Sequence, residues 1–251
     1  MAQTLLITGS SGIAAATARL AAERKERVFV VGNRGKECED LCAKIQGSAY
    51  AVADVSDYQA VQRAVAECIR QFGGIDAVFN VAGISARALG DGPLHECMPE
   101  AWRAAMNIHA AGTFYVCREV LRRWVSASHR GAILNMGSVL ARSPERDFFA
   151  THAYAASKGA VESLTLAAAS YYAPYGIRIN AIAPGLVRTP MSARAQTNEK
   201  IRAFIAHKQP LKADFIDAEE IARIALFLLS NDSVPITGEI VRADAGWAVT
   251  G

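Results

Sequence analysis

A tyrosine and a lysine stand four residues apart in Tyr154-Ala155-Ala156-Ser157-Lys158. On a helix these two side chains lie one turn apart on the same face. A phenol with a pKa of about 10 is a poor proton acceptor at neutral pH, and acid–base work favours a pKa near the operating pH. Closing a gap of about 3 units takes roughly 4 kcal/mol of preference for the phenolate. An ammonium a few ångströms away can supply much of that. A solvated pair on an exposed helix face has the same spacing, so the motif needs company before it means catalysis.

The elements that would position it supply that company. Short apolar runs fit for buried strands fall at 4–8, 27–31, 49–53, 75–81, 132–136, 177–182 and 239–242, with amphipathic helical stretches between them. The clearest stretch carries Val61, Ala64, Val65, Cys68, Ile69 and Phe72 as one stripe, and Ser56 with Gln59 reads as its capping box. Asp217 and Glu220 open another, with Ile221, Ile224, Ala225 and Leu228 on one face. Strand–helix alternation with near-continuous apolar strands predicts an α/β fold, a parallel sheet of about seven strands covered on both faces. In such sheets ligands sit beyond the carboxyl ends of the strands.

Small and polar residues gather at those ends. The first run leads into Thr8-Gly9-Ser10-Ser11-Gly12-Ile13-Ala14, a strand passing through glycines into a helix, as a dinucleotide-binding turn does. Asp54-Val55, Asn80-Val81-Ala82-Gly83, Gly137-Ser138 and the segment from Ala183 to Pro190 follow the third to sixth runs. Each alone is an ordinary turn. Together they could hold one flat, extended ligand across the sheet edge.

Composition narrows the class. The chain has 251 residues, 51% hydrophobic and 20% charged, with a net charge of +3. This is enough to bury a continuous core in one domain, 1–251, and too little scattered charge to argue for nucleic acid. The five cysteines form no CxxC pair and read as reduced thiols of a cytoplasmic protein rather than a disulfide frame or metal site. No apolar run approaches membrane-spanning length, and the N-terminus lacks a signal-peptide pattern.

Taken together, these motifs resemble the short-chain dehydrogenase/reductase family in its single-domain form, over essentially the whole chain. The resemblance rests on "NVAG" at 80–83, Asn107, "NMGS" at 135–138, "YAASK" at 154–158, "RINAIAPGLVRTPM" at 178–191 and the late "GEIVRADAG". It implies a Rossmann-type doubly wound sheet and hydride transfer between NAD(P) and a secondary alcohol or ketone. By position, Tyr154 would be the acid/base, Lys158 would lower its pKa and hold the nicotinamide ribose, Ser138 would hold the substrate oxygen, and Asn107 would support a water relay. The resemblance places cofactor contacts at Gly9, Ser11, Gly12, Ile13, Asn33, Arg34, Asp54, Val55, Asn80, Ala82, Gly83, Pro184, Gly185, Val187 and Thr189. It also implies a homotetramer or dimer built on helices near 99–125 and 153–173, and a substrate lid near 186–215. Ser143 is a second candidate for the Ser138 role, while His109, His152 and the tryptophans read as structural or pocket-wall residues.

Two departures bear on the cofactor. The family turn is T-G-x-x-x-G-x-G, and this one is a residue shorter, with Ala14 in place of the last glycine. A non-catalytic nucleotide sensor or scaffold is therefore the alternative to an enzyme. Where NAD-preferring members carry Asp, this chain has Gly32, followed by Asn33, Arg34 and Lys36. That favours NADP, with NAD the other option.

Overall fold

The computed structural model describes residues 3–250. The chain alternates β1 (Thr4–Thr8), α1 (Gly12–Glu23), β2 (Arg27–Gly32), α2 (Gly35–Cys42), β3 (Ser48–Val52), α3 (Tyr58–Phe72) and β4 (Ala77–Asn80). There follow α4 (Pro99–Ala105), a π-helical turn (Met106–Ala111), α5 (Gly112–Ser126), β5 (Ala132–Met136), α6 (His152–Tyr172) and β6 (Arg178–Pro184). The last part comprises β7 (Val187–Arg188), α7 (Ala193–Gln196), α8 (Glu199–Lys208), β8 (Ile216–Asp217), α9 (Ala218–Leu229) and β9 (Ile240–Ala243).

Seven strands form one parallel sheet in the order β3-β2-β1-β4-β5-β6-β9, and β7 and β8 pair separately. Side chains alternate between the two faces of a strand, and both faces are buried. Leu5, Ile7, Val28, Val30, Phe79 and Leu134 pack under α1, α2 and α9. Leu6, Phe29, Val31, Val78, Ile133 and Ile179 pack under α3 and α5. This two-sided burial is why the strands read as continuous apolar runs.

Register lines up the functional edge. Thr8 lies opposite both Val31 and Asn80, and Asn80 opposite Asn135. The strand ends that carry the glycine turn, "NVAG" and Gly137-Ser138 thus share one rim.

Two local expectations differ. Helix α3 is capped by Asp57, whose carboxylate accepts the Gln59 and Ala60 N–H groups at 2.8 and 3.2 Å. Ser56 instead turns back, donating its backbone and hydroxyl hydrogens to Asp54. The capping box at α9 does form, Asp217 with Glu220. Ile75 and Val81, expected in the fourth strand, lie outside it, because the β4 ladder spans only Ala77 to Asn80.

Candidate active site

Tyr154 lies in the first turn of α6, where helix N–H groups have no intrahelical partner. The N-cap Thr151 makes no side-chain bond to them. Asp91 does this work from a distant loop, accepting Ala153 N–H at 2.9 Å and Tyr154 N–H at 3.0 Å. It fixes the start of the helix and therefore the tyrosine.

One helical turn on, Lys158 is buried and its ammonium donates to the Met136 carbonyl at the end of β5, 2.8 Å away. Its Nζ lies 5.7 Å from the Tyr154 ring centroid. Burial pushes the Lys158 pKa down to about 7. Burial pushes the Tyr154 phenol up, opposed by a hydrogen bond with the Ser138 side chain. Desolvation disfavours the charged form of both groups, and Ser138 is the side chain that pulls the phenol the other way. Ser138 follows β5 and caps the short turn after it, accepting Leu140 N–H at 3.2 Å.

A second connection runs behind the tyrosine. His109 is 1% exposed, and its ring meets the Tyr154 ring edge-on at 5.2 Å. Nε2 accepts Ile84 N–H at 2.9 Å, which leaves Nδ1 as the protonated nitrogen facing Ser157 Oγ at 2.7 Å. Ser157 Oγ in turn donates to the Tyr154 carbonyl at 2.7 Å. Burial and the Lys158 charge hold the His109 pKa well below its ordinary value, so the ring stays neutral. A Cβ on Gly83 would fall 2.9 Å from Nε2, which explains the glycine there. His109 thus ties the segment after β4 to the helix bearing Tyr154.

These groups open onto a cavity of about 450 Å³. Of the expected residues, Gly9, Ser11, Gly12, Ile13, Ala82, Gly83, Ser138, Tyr154, Lys158, Pro184, Gly185, Val187 and Thr189 line it. The shortened turn still brings the N-terminus of α1 to this cavity. Gly9 and Gly12 have positive φ (101° and 52°), and Ser11 leaves the first N–H groups of α1 without a side-chain cap. A Cβ on Gly12 would be 3.0 Å from Thr189 Cγ2, so turn and Thr189 segment pack directly together.

Six expected residues do not line it. Asn107 is exposed, whereas His109, two residues on and therefore on the opposite side of the helical turn, is buried and points inward. Asn80 is buried between strands, donating to Asn135 Oδ1 at 2.9 Å rather than facing the cavity. Val55 packs into the core against the α5 glycine, Gly112. Asn33, Arg34 and Asp54 are exposed beyond β2 and β3. Ser143 is absent from the lining and uses its carbonyl to accept Trp247 Nε1–H. His152 is also outside it, with Nδ1 2.8 Å from the Gly92 carbonyl. Trp247 does line the cavity, as do Arg87, Phe149 and Arg194. Asp91, Ser157 and Arg87 had no legible signal: Asp91 and Arg87 meet backbone groups far away in sequence, and Ser157 meets the His109 ring 48 residues away.

A doubly wound sheet with Tyr, Lys and Ser converging beside a glycine turn defines a nucleotide-linked oxidoreductase class. Residues 7–248 match a family model described as enoyl-(acyl carrier protein) reductase. The chain is 34% identical over 247 residues to the cis-4-hydroxycyclohexanecarboxylate dehydrogenase of Sinomonas cyclohexanicum, covering 96% of this chain and 95% of that protein. Among solved structures, a short-chain type dehydrogenase/reductase from Mycobacterium ulcerans superposes with a TM-score of 0.90 at 28% identity, covering 99% of this chain and 90% of that one. The 3-ketoacyl-(acyl-carrier-protein) reductase of Brucella melitensis, complexed with NADH, gives 0.86 at 26% identity, with 98% of each chain covered. This chain belongs to the short-chain dehydrogenase/reductase family.

Proposed function

We propose that the protein interconverts a cyclic secondary alcohol and its ketone with a nicotinamide coenzyme, Tyr154 serving as the proton donor and acceptor. The observation that carries this reading is the meeting of Ser138, Tyr154 and Lys158 in the same cavity as the glycine turn. The relative named for a hydroxycyclohexane substrate supports a ring, and the neighbour holding NADH supports the coenzyme.

The chain's own features fit such a group. Uncapped N–H groups at the start of α1 suit a pyrophosphate. Gly9, Gly12 and Gly83 allow close backbone approach, while Pro184, Gly185, Val187 and Thr189 would flank the nicotinamide end. Asp54 remains a candidate for the adenine end. When bound, the coenzyme supplies or accepts the hydride.

In the reducing direction the Ser138 hydroxyl and the Tyr154 phenol hold the substrate oxygen, and the phenol passes its proton to that oxygen as negative charge develops there. Lys158 stabilises the phenolate left behind. Its pKa near 7 leaves its charge sensitive to any polar group brought beside it. The segment 186–215, containing β7, α7 and α8, would cover the substrate. Exposed Phe114 and Leu166 on α5 and α6 support assembly through those helices.

A second reading concerns which coenzyme. Arg34 and Lys36 were the grounds for NADP, yet Arg34 is paired with Glu37 at 2.7 Å and Lys36 with Glu39 and Asp40. Glu37 also accepts from Ser10 of the glycine turn at 3.0 Å, so a carboxylate stands beside that turn. This favours NAD. Separate titrations with NADPH and NADH, followed by reduced-nicotinamide fluorescence, test both readings. Saturable binding of either, with turnover of cyclic ketones, is expected. Binding of neither at millimolar concentration overturns the enzyme reading.

A further inference from the structure

We propose that Arg87 and Arg194 form a carboxylate clamp in the cavity, so that the substrate is an alcohol or ketone whose apolar body carries a carboxylate. This rests on the function proposed above, since it names the substrate class of that same site.

Both guanidiniums line the cavity that holds Ser138 and Tyr154. They converge on one neutral acceptor, the Phe148 carbonyl, with Arg87 Nη2 at 2.7 Å and Arg194 Nη2 at 3.0 Å. A guanidinium has five N–H donors, so most of theirs remain to be used. Among the described residues neither forms an ion pair, although Asp91 and Glu145 lie close enough to be felt by Arg87.

Those carboxylates are turned away to backbone donors. Asp91 accepts the Ala153 and Tyr154 N–H groups and faces the Cys97 thiol at 3.7 Å. Glu145 accepts the N–H groups of Asp147, Phe148 and Phe149 at 2.7, 2.7 and 3.0 Å. Two like charges, one of them half-buried, are thereby brought together with no carboxylate in ion-pair contact with either among the described residues. Burial and the neighbouring Arg194 lower the Arg87 pKa, and the charges of Asp91 and Glu145 oppose them only in part. Planar guanidiniums recognise planar carboxylates best.

The wall beside them is apolar and aromatic. Phe149 stacks edge-on against Trp247 with centroids 5.9 Å apart, and Arg194 lies 6.0 Å from the Phe149 ring. Val139 and Leu140 complete that side of the cavity. A charged end between two arginines and an apolar body against aromatic rings is the shape of ligand this lining accepts.

The test separates the clamp from the chemistry. Cyclohexanecarboxylate and cyclohexanecarboxamide, neither carrying a reactive oxygen on the ring, are titrated into the protein by calorimetry. The acid is expected to bind at least tenfold more tightly, a difference of about 1.4 kcal/mol that charge-assisted hydrogen bonds readily supply. Arg87→Met and the exposed-site variant Arg194→Met should each collapse that ratio toward one. With NADPH or NADH, 4-oxocyclohexanecarboxylate should likewise be reduced with at least tenfold higher kcat/KM than its carboxamide. Equal binding of acid and amide, or a preference that survives both substitutions, overturns the clamp even if ketones are turned over. Selective acid binding without coenzyme binding or turnover instead keeps the clamp and overturns the oxidoreductase reading.

Discussion

Lys158→Met should make the protein more stable at neutral pH while removing its activity. Lys158 is 3% exposed, with burial pulling its pKa from 10.5 to about 7. In the unfolded chain the same lysine titrates near 10.4. Between about pH 7 and pH 10 the unfolded state therefore holds a proton that the folded state has released, and stability climbs with pH across that window at up to about 1.4 kcal/mol per unit. At pH 7 the penalty is about 4 kcal/mol by the same conversion. Methionine matches the stem, needs no charge, and leaves the Met136 carbonyl without the donor it has at 2.8 Å, which costs about 1–3 kcal/mol. The variant should thus exceed the parent by about 1–3 kcal/mol at pH 7, an advantage falling by about 2 kcal/mol at pH 9. Urea denaturation of both proteins at pH 7, 8 and 9 reads the difference, in which all other titrating groups cancel. A gap that does not change with pH would refute the argument, because it would mean the buried lysine does not change its proton count on folding.

Tyr154→Phe should lower kcat by about 10²–10⁴ with coenzyme affinity little changed, since it removes only the proton-carrying oxygen. Glu37→Gln should shift preference toward NADPH by about fivefold, roughly the 1 kcal/mol of an exposed charge interaction, measured as a ratio of Kd values. His109→Ala should cost about 2–4 kcal/mol in urea denaturation, through the Ile84 N–H left without its acceptor and the packed ring removed. Because the folded His109 pKa is depressed, its contribution to stability should fade as pH drops below about 6.5, a fade that His109→Gln abolishes. Gly83→Ala should destabilise by about 1–3 kcal/mol, because its methyl would come 2.9 Å from His109 Nε2.

The sheet was legible because its strands are buried on both faces, so each appears as a short apolar run that turn residues interrupt. Tyr154, Lys158, Ser138 and the glycine turn were legible because their chemistry is carried by side-chain type and local spacing. Ser56 misled as a cap because Asp57, one residue on, is a better acceptor for the same N–H groups. Arg34 and Lys36 suggested a phosphate site because a sequence shows charges without their partners. Here Glu37, Glu39 and Asp40, on the same helix, take them up.

The larger difference lies at Asn107, which stands two residues before His109 and so on the opposite side of the helix. An ordinary helix through 99–126 keeps a strict 3.6-residue phase, whereas a π turn inserts a residue and shifts every later side chain around the axis. Nothing in Met106-Asn107-Ile108-His109-Ala110-Ala111 marks that slip. Around it, Gly112 lies against Val55, where a Cβ would come within 2.8 Å of Cγ2, while His109 reaches both Ile84 and Ser157. Asn107 stays in solvent, and a neutral imidazole lies beneath the tyrosine, with its two nitrogens committed in opposite senses. The segment after β4 and the catalytic helix are therefore joined through one buried ring, a residue whose chemistry can be read only after the helix phase is known.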